Sequence, residues 1–500
     1  MFEINNLSIK INDRYLIKNL NLVLNKNDKL AIIGEEGNGK STLLKAILGI
    51  GDYATIEGNI NFKGNTIGYL KQSLTNDELN MKVYDYLFDS ENDYYEKINN
   101  LYKYLELIKI NDDILNQKIS TLSGGEKVKI SILKLLLNEY DILFLDEPTN
   151  DLDIETLVWL ENFINNTDKP IMYVSHDETL LSRTANMILH IEQLKKKQES
   201  KYTLLKIDYD TYVEKRLRSI DKQTSIAKNE RREYNKKQEK LRRVMEKVER
   251  NQSNISRGDP HGARLLKKKM HSLKSQEKKL EDEVLTETPD VEEAINLFFE
   301  KVEIPKNKII LNLDIPELKV DNKVLSKNIK LDIIGNPHIC IIGSNGVGKT
   351  TLMKIIYDKL KNRDDIVLEY MPQNYEDILD KYDKVLDFIC TSGNKDDITY
   401  ARMLLGNMKF TKEEMTGRIK DLSNGSKAKL FLIKLELDKC NVLLLDEPTR
   451  NVSPLSNPVI REVLSNFNGC IISISHDRKY IEEVIDNLYI LTKEGLKKEI

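Results

Sequence analysis

Three sequence landmarks recur at one fixed offset. Leu122-Ser-Gly-Gly-Glu126 returns as Leu422-Ser-Asn-Gly-Ser426, Asp146-Glu-Pro-Thr149 as Asp446-Glu-Pro-Thr449, and Ser175-His-Asp177 as Ser475-His-Asp477, each displaced by 300 positions. A repeat of this length is a duplicated domain, and it governs the reading of everything else. Two like units must fit on 500 residues, and about 90 residues between them belong to neither. Each unit alternates short apolar runs with helical stretches. Strand signals fall at 29–34, 141–145 and 169–175 in the first copy and at 337–343, 441–445 and 470–475 in the second, and 41–48 reads as a helix. That alternation predicts a parallel α/β sheet in each copy.

Composition separates the insert from the repeats. The formal charge is −3, yet residues 211–280 carry 22 Lys+Arg against 9 Asp+Glu, a balance of +13 that leaves −16 elsewhere. Within 203–290 glycine and proline are confined to Gly258, Pro260, Gly262 and Pro289, and Leu241, Val244, Val248 and then Leu266, Met270, Leu273, Leu280 fall at helical spacing. Two helices are expected, about 206–251 and 263–286, joined by the breakers at 257–262 and paired antiparallel along a thin apolar stripe. A charged hairpin is commonly no more than a solvated coiled coil. The excess of +13 and the basic run 264–269 favour a polyanionic partner instead. The four cysteines (Cys340, Cys390, Cys440, Cys470) lack C-x-x-C spacing, which argues against zinc or a disulfide framework and for buried thiols in a reducing compartment. The longest apolar runs span about four residues where a membrane helix needs about 20. No signal peptide is read at the N-terminus, where Phe2, Ile4, Leu7 and Ile9 look strand-like.

The chemistry sits on glycine loops and acidic strand ends. Gly34-Glu-Glu-Gly37-Asn-Gly39-Lys40-Ser41 and Gly343-Ser-Asn-Gly346-Val-Gly348-Lys349-Thr350 each follow a strand and open a helix. Such a loop turns successive backbone N–H groups toward phosphate oxygens, its lysine reaches the β- and γ-phosphates, and Ser41 or Thr350 meets Mg²⁺. Asp146-Glu147 and Asp446-Glu447 end apolar strands. The aspartate can hold Mg²⁺ and the glutamate can deprotonate an attacking water. His176 and His476, each after a strand, are candidates for a γ-phosphate contact.

Taken together, the two glycine loops, Gln72 and Gln373 after strands, the Leu-Ser-Gly-Gly-Glu run, the Asp-Glu pairs and the histidines resemble the ATP-binding-cassette ATPases. The resemblance implies two α/β cassettes that sandwich two ATP molecules head to tail, each signature facing the other cassette's glycine loop. It makes Glu147, Glu447, His176 and His476 catalytic. ATP would be bound by Tyr15, Gly34, Gly37, Gly39, Lys40, Ser41, Thr42, Gln72, Ser123, Gly124, Gly125 and Glu126 from the first copy. The second copy would supply Gly343, Gly346, Gly348, Lys349, Thr350, Thr351, Gln373, Ser423 and Gly425. Mg²⁺ would lie at Ser41, Gln72 and Asp146 and at Thr350, Gln373 and Asp446. Lys40 would work with Ser423 and Gly425, and Lys349 with Ser123 and Gly125.

Tandem cassettes joined by a charged helical linker are similar to the ABC-F subfamily over nearly the whole chain, with cassettes at 1–202 and 291–500 and a linker at 203–290. The linker sequence around 249–270 and the segment Glu447-Pro-Thr-Arg450-Asn-Val-Ser-Pro-Leu-Ser456 resemble the antibiotic-resistance branch. That resemblance implies a cytoplasmic, monomeric ATPase that pairs its cassettes within one chain and binds the bacterial 70S ribosome at large-subunit rRNA and P-site tRNA. Its linker would enter the tRNA exit site and point at the peptidyl transferase centre, giving protection from lincosamides, pleuromutilins and group A streptogramins. The linker tip would be about 252–263, with Ser253, Asn254, Ile255 and Arg257 nearest the drug site, and Arg264, Lys267, Lys268 and Lys269 would meet rRNA phosphates. The rivals are a housekeeping ABC-F translation factor and the cytosolic motor of a membrane transporter. The copies also differ. Val324 stands where Tyr15 would stack on adenine, Asn424 and Ser426 replace Gly124 and Glu126, and Ser453 replaces Asp153, so two unequal ATP sites are expected.

Overall fold

A computed structural model describes residues 2–11, 14–51, 55–88, 94–108, 110–150, 152–194, 199–254, 260–283, 286, 304–320, 323–390, 394–408, 410–450 and 452–499. They fall into two compact units, one drawn from 1–210 and 292–500 and the other from 211–291. The first unit holds both repeats.

In the first repeat the strands are β1 (Phe2–Ile11), β2 (Arg14–Leu24), β3 (Lys29–Ile33), β4 (Thr55–Asn61), β5 (Ile67–Leu70), β6 (Ile142–Asp146), β7 (Ile171–Val174), β8 (Met187–Gln193) and β9 (Glu199–Leu205). Six of them form a sheet ordered β5-β6-β7-β3-β8-β9, parallel except for the β8–β9 edge. Every residue of β3, β6 and β7 is buried, as expected of parallel strands covered on both faces. An antiparallel sheet, β2-β1-β4, lies against the P-loop helix Lys40–Ile47. Phe2, Ile4, Leu7 and Ile9 all point into that core. Their alternation slips by one residue because the register shifts between Ile4 and Leu7 and Asn6 takes φ 53°, a bulge that returns the apolar face to the same side.

The second repeat follows the same plan. Its strands are β10 (Ile309–Val320), β11 (Lys323–Ile334), β12 (His338–Ile342), β13 (Leu368–Met371), β14 (Val442–Asp446), β15 (Cys470–Ile474), β16 (Asn487–Leu491) and β17 (Leu496–Glu499). The main sheet runs β13-β14-β15-β12-β16-β17, and β10 pairs with β11 in a separate ribbon. The two orders correspond strand for strand, and with the helical segment between them they give the tandem α/β cassettes expected from the duplication. Cys340, Cys440 and Cys470 are buried; Cys390 is half-buried.

The second unit is a helical hairpin. Its helices are Tyr209–Ser253 and Pro260–Glu281. Forty-five residues at 1.5 Å each make the first about 67 Å long. Lys237 pairs with Glu283 at 3.0 Å, the Thr286 N–H donates to Glu230 at 2.8 Å, and Val248, Met270 and Leu273 are buried together. These contacts fix the antiparallel pairing. The helix ends differ from the expected 206–251 and 263–286. The second helix starts earlier because proline, which lacks an N–H, suits a first helical turn. Its last turn stops short at acidic residues, which oppose the helix dipole there.

Candidate functional site

Both glycine loops sit where a buried parallel strand opens into a helix. Gly34 has φ 150°, and a Cβ there would lie 2.4 Å from the Ile191 carbonyl oxygen; Gly343 (φ 155°) would meet the Leu491 oxygen at 2.3 Å. Only glycine lets each loop pass this close to its neighbouring strand. The lysines curl back over the loop. Lys40 Nζ donates to the Gly34 and Glu35 carbonyls at 2.8 and 3.0 Å, and Lys349 Nζ to those of Gly343 and Ser344 at 2.7 and 3.2 Å. Burial depresses both ammonium groups, and neighbouring carboxylates oppose the shift.

At the first site Ser41 Oγ donates to Asp146 Oδ1 at 2.7 Å, and the Tyr69 hydroxyl donates to Oδ2 at 3.0 Å. Burial nevertheless pushes Asp146 up. Glu147 is enclosed by donors: Gln72 Nε2 at 2.9 Å, Asn150 Nδ2 at 2.7 Å and His176 Nε2 at 3.4 Å. Burial would raise its pKa, but His176, Asn150 and Lys40 outweigh that and hold it down at about 2. His176 Nδ1 lies 2.8 Å from the Val452 carbonyl oxygen of the other cassette.

The second site is built from the same parts with different contacts. Glu447 is as enclosed as Glu147, 14% against 16% exposed. Yet its partners are only the His476 backbone N–H at 3.4 Å and the His476 ring at 3.9 Å. Asparagine at 150 becomes Arg450, and no side-chain amide reaches the carboxylate among the described contacts. Burial and Asp446 push Glu447 up to about 8. Burial and Lys349 hold His476 down at about 4, a neutral ring. Asp446 is raised to about 6 by burial, against a hydrogen bond from Thr350 and the charge of Lys349.

A cavity of about 870 Å³ at this site is lined by Asn345, Gly346, Gly348, Lys349, Thr350, Thr351, Gln373, Asp446, Glu447 and His476 from the second cassette. Gly124, Lys127, Asn150 and His176 enter from the first. Signature and glycine loop of opposite cassettes thus share one cavity, large enough for a nucleotide. Val320, Lys323 and Leu325 line it beside Val324, which is 38% exposed. At the first site Tyr15 is half-buried, with the Lys10 and Lys18 ammonium groups 5.8 and 5.4 Å from its ring.

The signature helices differ at their N-termini. Gly124–Leu137 carries a complete capping box, Ser123 with Glu126. Asn424–Leu437 is capped by Ser423 alone, since Ser426 cannot reach back as glutamate does. The Gly425 N–H donates instead to Glu36 of the first glycine loop. Sequence reasoning passes over Glu36, Tyr69 and Asn150. The available signal for Glu36 is an anion at a loop position where the other copy has neutral Asn345.

Of the linker residues, Ser253 and Asn254 end the first helix exposed, with Ser253 Oγ bonded to the Arg250 carbonyl at 2.8 Å. Ile255 and Arg257 lie outside the described residues. Arg264, Lys267, Lys268 and Lys269 are all exposed on the second helix. No helix among the described residues is long and apolar enough to cross a membrane.

Two P-loop sheets, each with an Asp-Glu pair beside the loop and a signature helix from the opposite copy, define a tandem nucleotide-hydrolysing ATPase. The family model described as ABC transporter matches residues 17–150 and 326–450, and the chain belongs to that family. It is homologous to ABC-F proteins. It is 28% identical over 516 residues to the ATP-binding protein Uup of Buchnera aphidicola subsp. Acyrthosiphon pisum (strain APS), covering 99% of this chain and 81% of that protein. It is 25% identical over 531 residues to ABC transporter F family member 5 of Arabidopsis thaliana, covering 95% and 72%. Among solved structures it shares its fold with the archaeal ribosome recycling factor aABCE1, crystallised with the ribosomal stalk protein aP1 (TM-score 0.60, 17% identity, 98% of this chain, 89% of that one). It shares it also with RNase-L Inhibitor (TM-score 0.59, 17% identity, 99% and 89%). The chain is an ATP hydrolase, and its cassettes bind ATP. The second site also fits the magnesium ion that normally accompanies ATP in this family. Asp446 Oδ2 is buried without a hydrogen-bond partner, and Thr350 and Gln373 line the same cavity, a small set of hard oxygen ligands that nucleotide phosphates and water would complete.

Proposed function

We propose that this chain is a cytoplasmic ABC-F ATPase that protects the bacterial ribosome from lincosamide, pleuromutilin and streptogramin A type drugs. ATP binding closes the cassettes, with Lys40 and Lys349 on the phosphates and Mg²⁺ held at Ser41, Gln72 and Asp146 and at Thr350, Gln373 and Asp446. In that state the protein binds large-subunit rRNA and P-site tRNA, and the linker tip enters the tRNA exit site toward the peptidyl transferase centre. Glu147 and Glu447 then activate water, with His176 and His476 beside them, and hydrolysis releases the protein. The observation that carries this reading is the basic hairpin. Its positive balance of +13 is displayed on exposed faces of two paired helices, and phosphate neutralisation supplies the affinity. Likeness over nearly the whole chain to Uup and to the plant F-family member equally favours a housekeeping ABC-F factor that relieves stalled ribosomes without a drug.

One experiment separates the two readings. Purified protein is added to a lincomycin-inhibited bacterial translation extract, beside a variant lacking 253–262. The resistance reading expects wild type to restore synthesis and the deletion to fail while keeping its ATPase rate. Restoration by the deletion variant, or none by wild type, contradicts it.

A further inference from the structure

Three pairs of positions related by the offset of 300 carry opposite charges: Glu161 and Arg461, Glu178 and Arg478, Arg183 and Glu483. The structure gathers all six at the junction of the cassettes. Arg461 grips Glu178 with both guanidinium arms, at 2.5 and 3.2 Å, and the two side chains are 3% and 5% exposed. Arg478 donates to Glu161 in the mirror-image pair. Each cross-cassette pair also has a partner on one side: Arg183 holds Glu161 at 2.9 Å, and Glu483 holds the Arg461 Nε at 2.7 Å. Lys479 adds a contact to Glu178 at 3.3 Å, and Asp177 lies 3.6 Å from Arg478.

The contacts cross the pseudo-two-fold, 161 to 478 and 178 to 461. Exchanging one cassette for the other inverts the sign at all three positions. If a first cassette met another first cassette, Glu161 would face Glu178 in a buried setting; two second cassettes would bring Arg461 against Arg478. Buried like charges cannot both stay ionised without severe cost. Only the unlike pairing sets each charge against its opposite, through charge-assisted hydrogen bonds.

We propose that this cluster is a pairing code. It makes each cassette the cognate partner of the other kind, rejects like-with-like assembly between chains, and leaves the linker's high local concentration to select closure within one chain. Nothing in it depends on the ribosomal reading above, and the shape of the nucleotide sites alone does not supply it, since both cassettes present a glycine loop and a signature.

The test inverts one side at a time in the full-length chain. E161R/E178R/R183E gives both cassettes the second-type cluster, and R461E/R478E/E483R gives both the first type. Each alone should lose at least tenfold of its ATPase rate. An equimolar mixture should recover activity and sediment at twice the chain mass, because the matched faces now lie on different chains. The sixfold inversion should return a monomer of near wild-type activity. Triple variants that stay active, or a mixture that neither dimerises nor recovers, overturn the proposal. Should the triples fail to fold by circular dichroism, the sixfold inversion decides: recovery supports the code, and equal failure refutes it.

Discussion

At the scale of single residues, the two general-base candidates are set apart by their partners, since their exposure is alike. Glu147 has Gln72, Asn150 and His176 around it and is held down at about 2, whereas Glu447 faces a neutral histidine and is pushed up to about 8. A base must be ionised to take a proton. E447Q, which leaves the first site, should therefore have a flat pH profile between about 6.5 and 8.5. E147Q, which leaves the second, should gain on the order of tenfold in rate over that range as Glu447 deprotonates. Parallel profiles would contradict the inequality. Glu36 adds a second difference. It places a carboxylate on a signature N-terminus, where positive helix-end charge would otherwise be open to a phosphate. E36N, matching Asn345, should tighten ATP binding at the first site by roughly fivefold, the scale of about 1 kcal/mol for a helix-end charge, as read by a fluorescent nucleotide in the E447Q background. Unchanged affinity would remove Glu36 from the account. The loop lysines, Asp-Glu pairs and histidines are legible in sequence because phosphate chemistry fixes their type and spacing. Glu36 is not, because its partner lies 389 residues away and only folding brings them together.

At the scale of elements, the strands are legible to within a residue or two, since a strand buried on both faces must be a short unbroken apolar run. Helix ends in the linker are not, because a polar helix has few residues that mark where it stops. Pro260 reads as a breaker and is in fact the first residue of a helix. The hairpin's apolar core is small: Val248, Met270 and Leu273, with Leu241, Val244, Met245 and Leu266 packed around it. Met270→Ala with Leu273→Ala should remove about 2 kcal/mol or more of that packing. Hydrogen exchange should then rise within 211–291 and stay unchanged in the cassettes, because the two are separate compact units. Unaltered exchange in the hairpin would mean that charged pairs such as Lys237–Glu283 hold it instead.

At the scale of the whole molecule, the offset of 300 is enough to mark two cassettes in the bare sequence, and the basic insert stands out there because it has no second copy. What the sequence conceals is how the copies meet: the signature of one in the cavity of the other, and the charge inversion at their junction. Both are relations between distant residues, invisible to local pattern. If the hairpin binds rRNA phosphates, affinity should fall steeply with salt, and replacing Lys267, Lys268 and Lys269 with Gln should flatten the log–log slope by about 3 at most, near one unit per lost contact. An unchanged slope would place the contact elsewhere. The most direct test of an ATP-gated ribosome binder is sedimentation of the E147Q/E447Q double variant through a sucrose cushion with 70S particles. With ATP the protein should pellet with the ribosomes, and without ATP it should remain above the cushion; a supernatant protein under both conditions would contradict the account.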